Sequence, residues 1–310
     1  MIVFNSLDEI TGISGTVIAL GNFDGVHLGH QELIGRGVKA ARESGLKSAI
    51  FAFSNHPKDI VTGEKVRNIL YQDEKISVIK DKGIDYMFNI PFDEDIQEMG
   101  AVEFIDKLLL AKLRMKTACC GFNYRFGRGA SGNAEVLKKE GEGKRFGVHV
   151  IEPVTVNGEL VNSSRIRELI ESGDVSGAAE FIGRHYAVNG NVIIGNKIGR
   201  TIGFPTSNLA CDESMVSPAS GVYITYCIYN GNKYPGVTNV GVKPTLGEFS
   251  KNMETHIFDF NKELYGKTIR VEFLKKIRNE KKFGSIDELT WQIKKDCDMA
   301  IEWHKKSREG

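Results

Sequence analysis

Gly21-Asn22-Phe23-Asp24-Gly25-Val26-His27-Leu28-Gly29-His30 is the stretch from which the fold of this chain is read. It follows Thr16-Val17-Ile18-Ala19-Leu20, a short apolar, partly β-branched run that reads as a buried strand. It precedes residues 31–41, where Leu33, Ile34, Val38 and Ala41 recur at helical spacing. Two histidines and three glycines therefore lie at a strand-to-helix turn. A helix N-terminus presents free N–H groups and partial positive charge, which suits phosphate. Gly29 lets the backbone approach a ligand closely. His27 and His30 are three apart and point the same way if the turn is already helical. Such a pair suits stabilising charge as a phosphorus–oxygen bond breaks. The other readings are two satisfied surface histidines or a zinc site. Zinc needs further ligands, and no Cys or nearby His has that spacing.

Working outward, strand-like and helix-like patterns alternate through the first half. Residues 48–53 read as a strand, 72–82 as a helix, and 85–90 as a strand stopped by Pro91. Residues 101–113 read as a helix, with short buried strands at 117–120 and 148–151. Alternating units of this size predict a parallel sheet covered by helices on both faces, an α/β fold. Ligands of such sheets sit at the carboxyl ends of the strands, where the opening turn lies.

Three further stretches fall at strand ends. In Ser54-Asn55-His56-Pro57 the proline holds His56 extended, either as a ligand contact or as a plain turn residue. Gly121-Phe122-Asn123-Tyr124-Arg125-Phe126-Gly127-Arg128-Gly129 sets aromatic rings beside two arginines. It suits stacking a planar ring near a phosphate, or closing the core as an apolar loop. Asn162-Ser163-Ser164-Arg165-Ile166-Arg167 opens a helix capped by Ser163 or Ser164. That helix is either a surface helix or a second phosphate-binding N-terminus offering hydroxyls and a guanidinium.

Residues 173–183 read as one more short helix, and after Gly183 the pattern changes. Period-two runs at 185–194, 222–229, 233–239, 254–260 and 268–275, with Gly231-Asn232 as a hairpin turn, predict a small antiparallel barrel. Ser285 caps a closing helix in which Leu289, Ile293, Cys297 and Ile301 repeat every four residues. The domain boundary is expected near residue 184, giving domains 1–184 and 185–310.

The informative stretch of the second half is Gly195-Asn196-Lys197-Ile198-Gly199-Arg200-Thr201-Ile202-Gly203-Phe204-Pro205-Thr206-Ser207-Asn208. Glycines four apart with Lys197 and Arg200 fit a phosphate-holding loop or a glycine-rich hairpin. No Gly-Lys-Ser/Thr occurs, so it is not a Walker A loop. Thr206 and Asn208 face one side of an extended chain, and their oxygens suit Mg²⁺ bridging phosphates. A carboxylate that can take or orient a hydroxyl proton is the other group of interest in this half. Glu254 shares a strand face with His256 and Phe258, and a carboxylate facing a barrel interior needs a partner or a job. A surface glutamate on an edge strand is the alternative.

The bulk properties bound these readings. A chain of 310 residues predicts about two domains. Its composition, 41% hydrophobic and 26% charged, is that of an ordinary globular protein. A formal charge of +1 gives no global field to draw nucleic acid or an anionic membrane. Residues 261–310 carry 13 Lys/Arg against 9 Asp/Glu, an excess that a solvated helix face explains. Five cysteines without a C-x-x-C indicate neither a disulfide framework nor a zinc ribbon, so buried reduced thiols are expected. No basic-then-apolar leader and no run near ~20 apolar residues occurs. A cytoplasmic protein is expected, with no nucleic-acid or membrane partner.

His27-Leu28-Gly29-His30 resembles the His-x-Gly-His signature of the nucleotidylyltransferase superfamily. The preceding residues 21–26 narrow the resemblance to the FMN adenylyltransferase domain of bifunctional bacterial riboflavin kinase/FAD synthetases. His56-Pro57 resembles that family's His-Pro turn, and residues 121–127 its Gly-x-Asp/Asn-aromatic-x-Phe-Gly loop. Residues 161–167 resemble its Ser-Ser-Thr-x-Ile-Arg motif, with Asn162 in place of the first Ser, Ser164 in place of Thr, and Arg167 kept. In the second half, residues 195–208 are similar at every fixed position to the riboflavin kinase signature Gly-x-x-x-Gly-Arg-x-x-Gly-x-Pro-Thr-x-Asn. Residues 254–260 resemble the family's Glu-x-His-x-x-x-Phe strand. Asn239-Val240-Gly241, Pro244-Thr245 and Arg278-Asn279-Glu280 resemble segments that line its flavin and nucleotide sites.

The resemblance implies a Rossmann-like adenylyltransferase domain followed by a kinase barrel. In the first, ATP would be held by Gly21, Phe23, Asp24, His27, Gly29, His30, Ser163, Ser164 and Arg167, and the flavin by His56, Asn123, Tyr124 and Phe126. In the barrel, ATP would be held by Gly195, Lys197, Gly199, Arg200, Gly203 and Thr206, the flavin by Asn239, Arg278 and Glu280, and Mg²⁺ by Thr206 and Asn208. Glu254 would be the base. The implied reactions are riboflavin plus ATP to FMN, then FMN plus ATP to FAD and pyrophosphate. The phosphate of FMN is already ionised near pH 7, since a monoester's second pKa is about 6, so adenylyl transfer requires no general base. Aligning two phosphates and neutralising charge, by His27, His30, Arg167 and Mg²⁺, suffices. Two other readings stay open: a nucleotidylyltransferase for another phosphorylated substrate with a recruiting barrel, and a non-catalytic flavin-binding regulator. Whether copies associate into a homo-oligomer is open too.

Overall fold

The structure, a computed structural model, describes residues 1–195, 198–245 and 248–309. The chain divides into two compact units, Met1–Ser163 and Ser164–Gly310.

The first unit is built on a six-stranded parallel sheet. Its order is Ile2–Phe4, Tyr86–Ile90, Lys47–Phe53, Thr16–Leu20, Met115–Gly121, Gly147–Ile151. Thr16–Leu20 is central and buried at every position. Val17 and Ala19 pack with Leu33, Ile34, Val38 and Ala41 of the helix Leu28–Ser44. Ile18 and Leu20 turn to the opposite face, against Phe104, Ile105, Leu108 and Leu109. A strand covered on both sides needs apolar residues without alternation, which is what the run supplies. The chain leaves Thr16–Leu20 in one direction and later returns to its other side with Met115–Gly121. That reversal opens a crevice at the carboxyl ends of these two strands, the position at which such sheets bind ligands.

Three features of this unit differ from the expectations. Ile2–Phe4 adds an edge strand, too short to show a period. The helix expected over 101–113 is α-helical only at Ala101–Glu103 and widens to a π-type turn over Phe104–Lys112, closed by a Leu113 N–H to Leu108 carbonyl bond of 2.9 Å. A helix at Ala134–Lys144 went unseen because Gly141 and Gly143 and a row of charges blur its apolar face.

The second unit holds a closed barrel in the order Tyr186–Ile193, Ser207–Ala210, Glu248–Ile257, Asn232–Thr245, Gly221–Tyr229, Thr268–Arg278. Neighbours are antiparallel throughout. Ser207–Ala210 was not foreseen as a strand, and the strand expected over 254–260 runs earlier, at Glu248–Ile257. The hairpin turns at Asn230 and Gly231, with φ of 49° and 75°, one residue before the expected pair.

The wall has two faces. Thr225, Thr238 and Thr255 are fully buried inside, linked hydroxyl to hydroxyl at 2.9 Å, with Tyr223, Met253 and Phe273. Glu254, between Met253 and Thr255, therefore faces outward, which corrects the expectation of an interior carboxylate. Outside, Val222, Ile224, Val237 and Phe258 pack under Cys297 and Ala300 of the closing helix Ile286–Glu309.

The helices Ser163–Ser172 and Val175–Ile182 group with the barrel by compactness, so this division falls earlier than residue 184. All five cysteines are unpaired; Cys119, Cys120, Cys227 and Cys297 are buried and Cys211 is half-buried.

Candidate active sites

The turn after Thr16–Leu20 is sharply folded. Phe23, Gly25 and Val26 have φ of 55°, 77° and 40°. The left-handed backbone costs roughly 1–2 kcal/mol for each non-glycine residue. The Asp24 carboxylate helps hold it, accepting the Ile69 N–H at 2.9 Å. His27 is extended (ψ 174°) and caps the helix Leu28–Ser44, its Nδ1 accepting the His30 N–H at 3.3 Å. An accepting Nδ1 leaves the proton of a neutral ring on Nε2.

The His27 and His30 rings stack with centroids 3.6 Å apart, and His30 lies 5.1 Å from the Phe23 ring. Burial holds the His30 pKa well below the ordinary range, with His27 and Lys75 adding to the effect. At neutral pH His30 is uncharged, and its Nδ1 is buried with no partner among the described residues. The room at Gly29 belongs to a neighbour: a Cβ there would meet the His27 ring at 3.3 Å.

Three loops emerge at this edge of the sheet. Ser163 donates its hydroxyl to the Asp24 carbonyl at 3.1 Å, tying residue 163 to the turn. Ser164, exposed, and Arg167, half-buried, follow on the helix Ser163–Ser172 in the second unit. Asn162, where the motif usually has Ser, donates to the Leu160 carbonyl at 3.2 Å. After Lys47–Phe53, His56 is extended as expected and caps the helix Pro57–Val61, accepting from Lys58 N–H at 3.2 Å. After Met115–Gly121, Tyr124 stacks on Phe126 with centroids 5.6 Å apart. Phe126 is 7% exposed and packs on Phe104, so it serves the core. Asn123 is exposed, as are its neighbours Phe122 and Arg125.

Lys75, passed over in the sequence, also belongs here. It is 7% exposed on the helix Gln72–Lys80, with its Nζ 3.5 Å from the Phe53 carbonyl. Burial lowers its pKa to about 8, opposed by Asp24. Its only sequence signal is position: it stands one turn from buried Ile79, on the face where an apolar residue belongs.

In the barrel, strand register gathers the predicted residues. Asn208 pairs with Glu254, Glu254 with Asn239, Asn239 with Val222, and Val222 with Arg278. Paired residues share a face, so this row runs around the outer wall. A cavity of about 330 Å³ over it is lined by Thr206, Asn239, Glu254, Arg278 and Glu280, and roofed by Phe283, Leu289 and Ile293. A second cavity of about 540 Å³ is lined by Gly195, Thr206 and Asn208 with residues of the 260–265 segment. Thr206 lines both.

Asn252, unnoticed in the sequence, joins the two: its Nδ2 donates to Glu254 Oε1 at 2.9 Å and to Asn208 Oδ1 at 3.4 Å. A His256 ring nitrogen lies 2.7 Å from the Pro205 carbonyl, steadying the segment that presents Thr206. The Arg278 fork is held by Asp296, 3% exposed, through bonds of 2.8–3.1 Å, so Arg278 forms a wall of the cavity with much of its fork already engaged. Gly195 lies so close to Asn208 that a Cβ would overlap its amide, and one at Gly199 would overlap the Phe204 carbonyl. Gly203 turns with φ of 86°. Lys197, and the side chains of Arg200, Pro244 and Thr245, lie outside the described residues.

Comparison with known proteins bears on both sites. The FAD synthetase family model matches residues 10–165 and the riboflavin kinase model residues 182–304. A bifunctional riboflavin kinase/FMN adenylyltransferase of Bacillus subtilis (strain 168) is 38% identical over 299 residues, covering 95% of this chain and 94% of its own. One of the same description from Escherichia coli (strain K12) is 34% identical over 291 residues, covering 93% of each. A solved structure from Streptococcus pneumoniae, described as a macrolide-efflux protein, is 33% identical with a TM-score of 0.87, covering 95% of this chain and 96% of its own. Among the described residues no helix of the present chain is long and apolar enough to cross a membrane. Two family models in succession on one chain, and relatives matched almost end to end, establish that it belongs to the family of bifunctional riboflavin kinase/FMN adenylyltransferases.

Proposed function

We propose that the chain performs two consecutive steps of flavin cofactor synthesis. The barrel transfers the γ-phosphate of ATP to riboflavin, giving FMN and ADP. The N-terminal domain then transfers AMP from a second ATP to the phosphate of FMN, giving FAD and pyrophosphate. The observation that carries the first step is the outer-wall cavity gathering Thr206, Asn239, Glu254, Arg278 and Glu280. A barrel that only recruited a flavin would not need a carboxylate tied through Asn252 to Asn208. The family matches support a functional division at 1–184 and 185–310.

In the kinase, Glu254 takes the proton of the riboflavin hydroxyl as the oxygen attacks. Asn252 occupies one carboxylate oxygen, which fixes its orientation. Asn208 presents Oδ1 as its acceptor end towards Asn252. With the Thr206 hydroxyl the donor set is all oxygen and fits Mg²⁺, which when bound would neutralise phosphate charge. In the adenylyltransferase no proton need leave the nucleophile. Neutral His30 donates to the transferring phosphate, His27 holds it in place by stacking, and Arg167 adds positive charge. The unpaired thiols support a cytoplasmic enzyme.

The test is product analysis by chromatography with riboflavin and Mg-ATP: FMN should appear first and FAD after it. If folded protein releases neither ADP nor pyrophosphate, the non-catalytic regulator is the better reading. A second expectation concerns the tight approach at Gly195. Gly195→Ala should push Asn208 aside and slow FMN formation at least tenfold, ~1.4 kcal/mol in the barrier, while FAD formation from supplied FMN is unchanged.

A further inference from the structure

We propose that the Lys75 ammonium binds the phosphate of the flavin substrate in the adenylyl-transfer site, holding it against the ATP phosphate that it attacks. The proposal rests on the adenylyltransferase reading above and goes beyond it, since no motif of the sequence points to Lys75.

Four observations carry it. A lysine only 7% exposed needs partners for its ammonium, yet among the described residues Lys75 makes one hydrogen bond, a long one of 3.5 Å to the Phe53 carbonyl. A lysine has three donors, so the geometry leaves capacity for an acceptor that the protein does not supply. Second, Phe53 is the last residue of Lys47–Phe53, directly before Ser54-Asn55-His56. The neighbouring strand, paired at Leu20 with Phe51, ends in the turn carrying His27 and His30. Lys75 therefore stands at the carboxyl edge between the loop expected to hold flavin and the turn expected to hold ATP. A phosphate that must reach the ATP α-phosphorus from the flavin side has to pass this point.

Third, the charge distribution favours an anion there. Burial holds His30 uncharged at neutral pH, with His27 and Lys75 adding to the effect, so the His30 ring supplies no charge to an anion there and the Lys75 ammonium does. Asp24 is the opposing carboxylate, and its Oδ1 is already engaged by the Ile69 N–H. Fourth, the packing does not call for a charge. Ile79, one turn away, is fully buried, and an unbranched apolar side chain at 75 would fit the same face.

The experiment uses full-length Lys75→Met, Lys75→Gln and Lys75→Arg proteins, with FMN and ATP varied in turn and FAD measured. Riboflavin phosphorylation by the barrel is the internal control. Both neutral variants should lose about 10²–10³-fold in kcat/KM for FMN, with KM for FMN raised at least tenfold and that for ATP within threefold. Lys75→Arg should recover at least tenfold over Lys75→Met. FMN formation from riboflavin should stay within twofold, and the Lys75→Met protein should melt no lower than wild type, because a buried charge has been removed.

A folded Lys75→Met or Lys75→Gln protein with FAD formation within threefold of wild type overturns the proposal. So does an equal loss in the Arg and neutral variants, or an effect confined to the KM for ATP. Should Met at 75 prevent folding, Gln and Arg alone decide by the same comparison. If wild type makes no FAD from FMN at all, the adenylyltransferase reading itself has failed, which is a separate result.

Discussion

Glu254→Gln slows riboflavin phosphorylation by about 10²-fold or more and leaves FAD formation from supplied FMN intact. The substitution keeps the shape of the side chain and an oxygen to accept the Asn252 amide, so the link from Asn252 to Asn208 survives. What it removes is basicity at the residue that faces the outer-wall cavity. Positioned general bases contribute about 10²–10⁴-fold, and the loss should fall in that range. Initial rates of FMN production, read by chromatography, check it. A loss below tenfold would show that Glu254 is a wall of the cavity and not the base.

His30→Ala does the converse. FAD formation should fall by about 10²–10³-fold, the usual effect of deleting one preorganised donor, while FMN formation from riboflavin stays within twofold. The variant is clean because the helix cap does not use the His30 ring. His27 Nδ1 accepts the His30 backbone N–H, which alanine keeps. Replacing His27 removes the cap as well, at about 1 kcal/mol of stability, and confuses two effects. Pyrophosphate release with FMN and ATP is the readout. A folded His30→Ala protein that still forms FAD at a third or more of the wild-type rate would remove His30 from the mechanism.

Much of the architecture was legible because phosphate chemistry and buried strands leave local marks. Thr16–Leu20 had to lie in a sheet covered on both faces, since it carries no alternation. The glycines at 195 and 199 reflect contacts within 13 residues, with Asn208 and Phe204. The orientation of Glu254 was not legible. A period of two says that Glu254, His256 and Phe258 share a face, but not which face is inside. That is decided by the closing helix, which covers the outer wall and begins at Ile286, more than 30 residues after Glu254.

Asp296 is hidden for the same reason: it meets Arg278 across 18 residues, between a strand and a helix. Asn252 carries no motif and acts only through strand register. Phe126 looked like a ring for stacking flavin, but an aromatic at a loop's root and one at its tip are indistinguishable until the loop is closed. Lys75 broke the apolar pattern of its helix, and such a break reads as an exposed lysine until the neighbouring strand is in place.

The central claim is two independent sites on one chain, joined in sequence by their product. The most direct test mixes equal amounts of Glu254→Gln and His30→Ala proteins with riboflavin and Mg-ATP and measures FAD. Either variant alone should make FAD from riboflavin at about 1% of the wild-type rate or less. The mixture should make it at a rate within a few-fold of half the wild-type concentration, because FMN released by one protein is adenylylated by the other. Absence of FAD from the mixture, with each variant keeping its own single activity, would contradict two sites linked by free FMN.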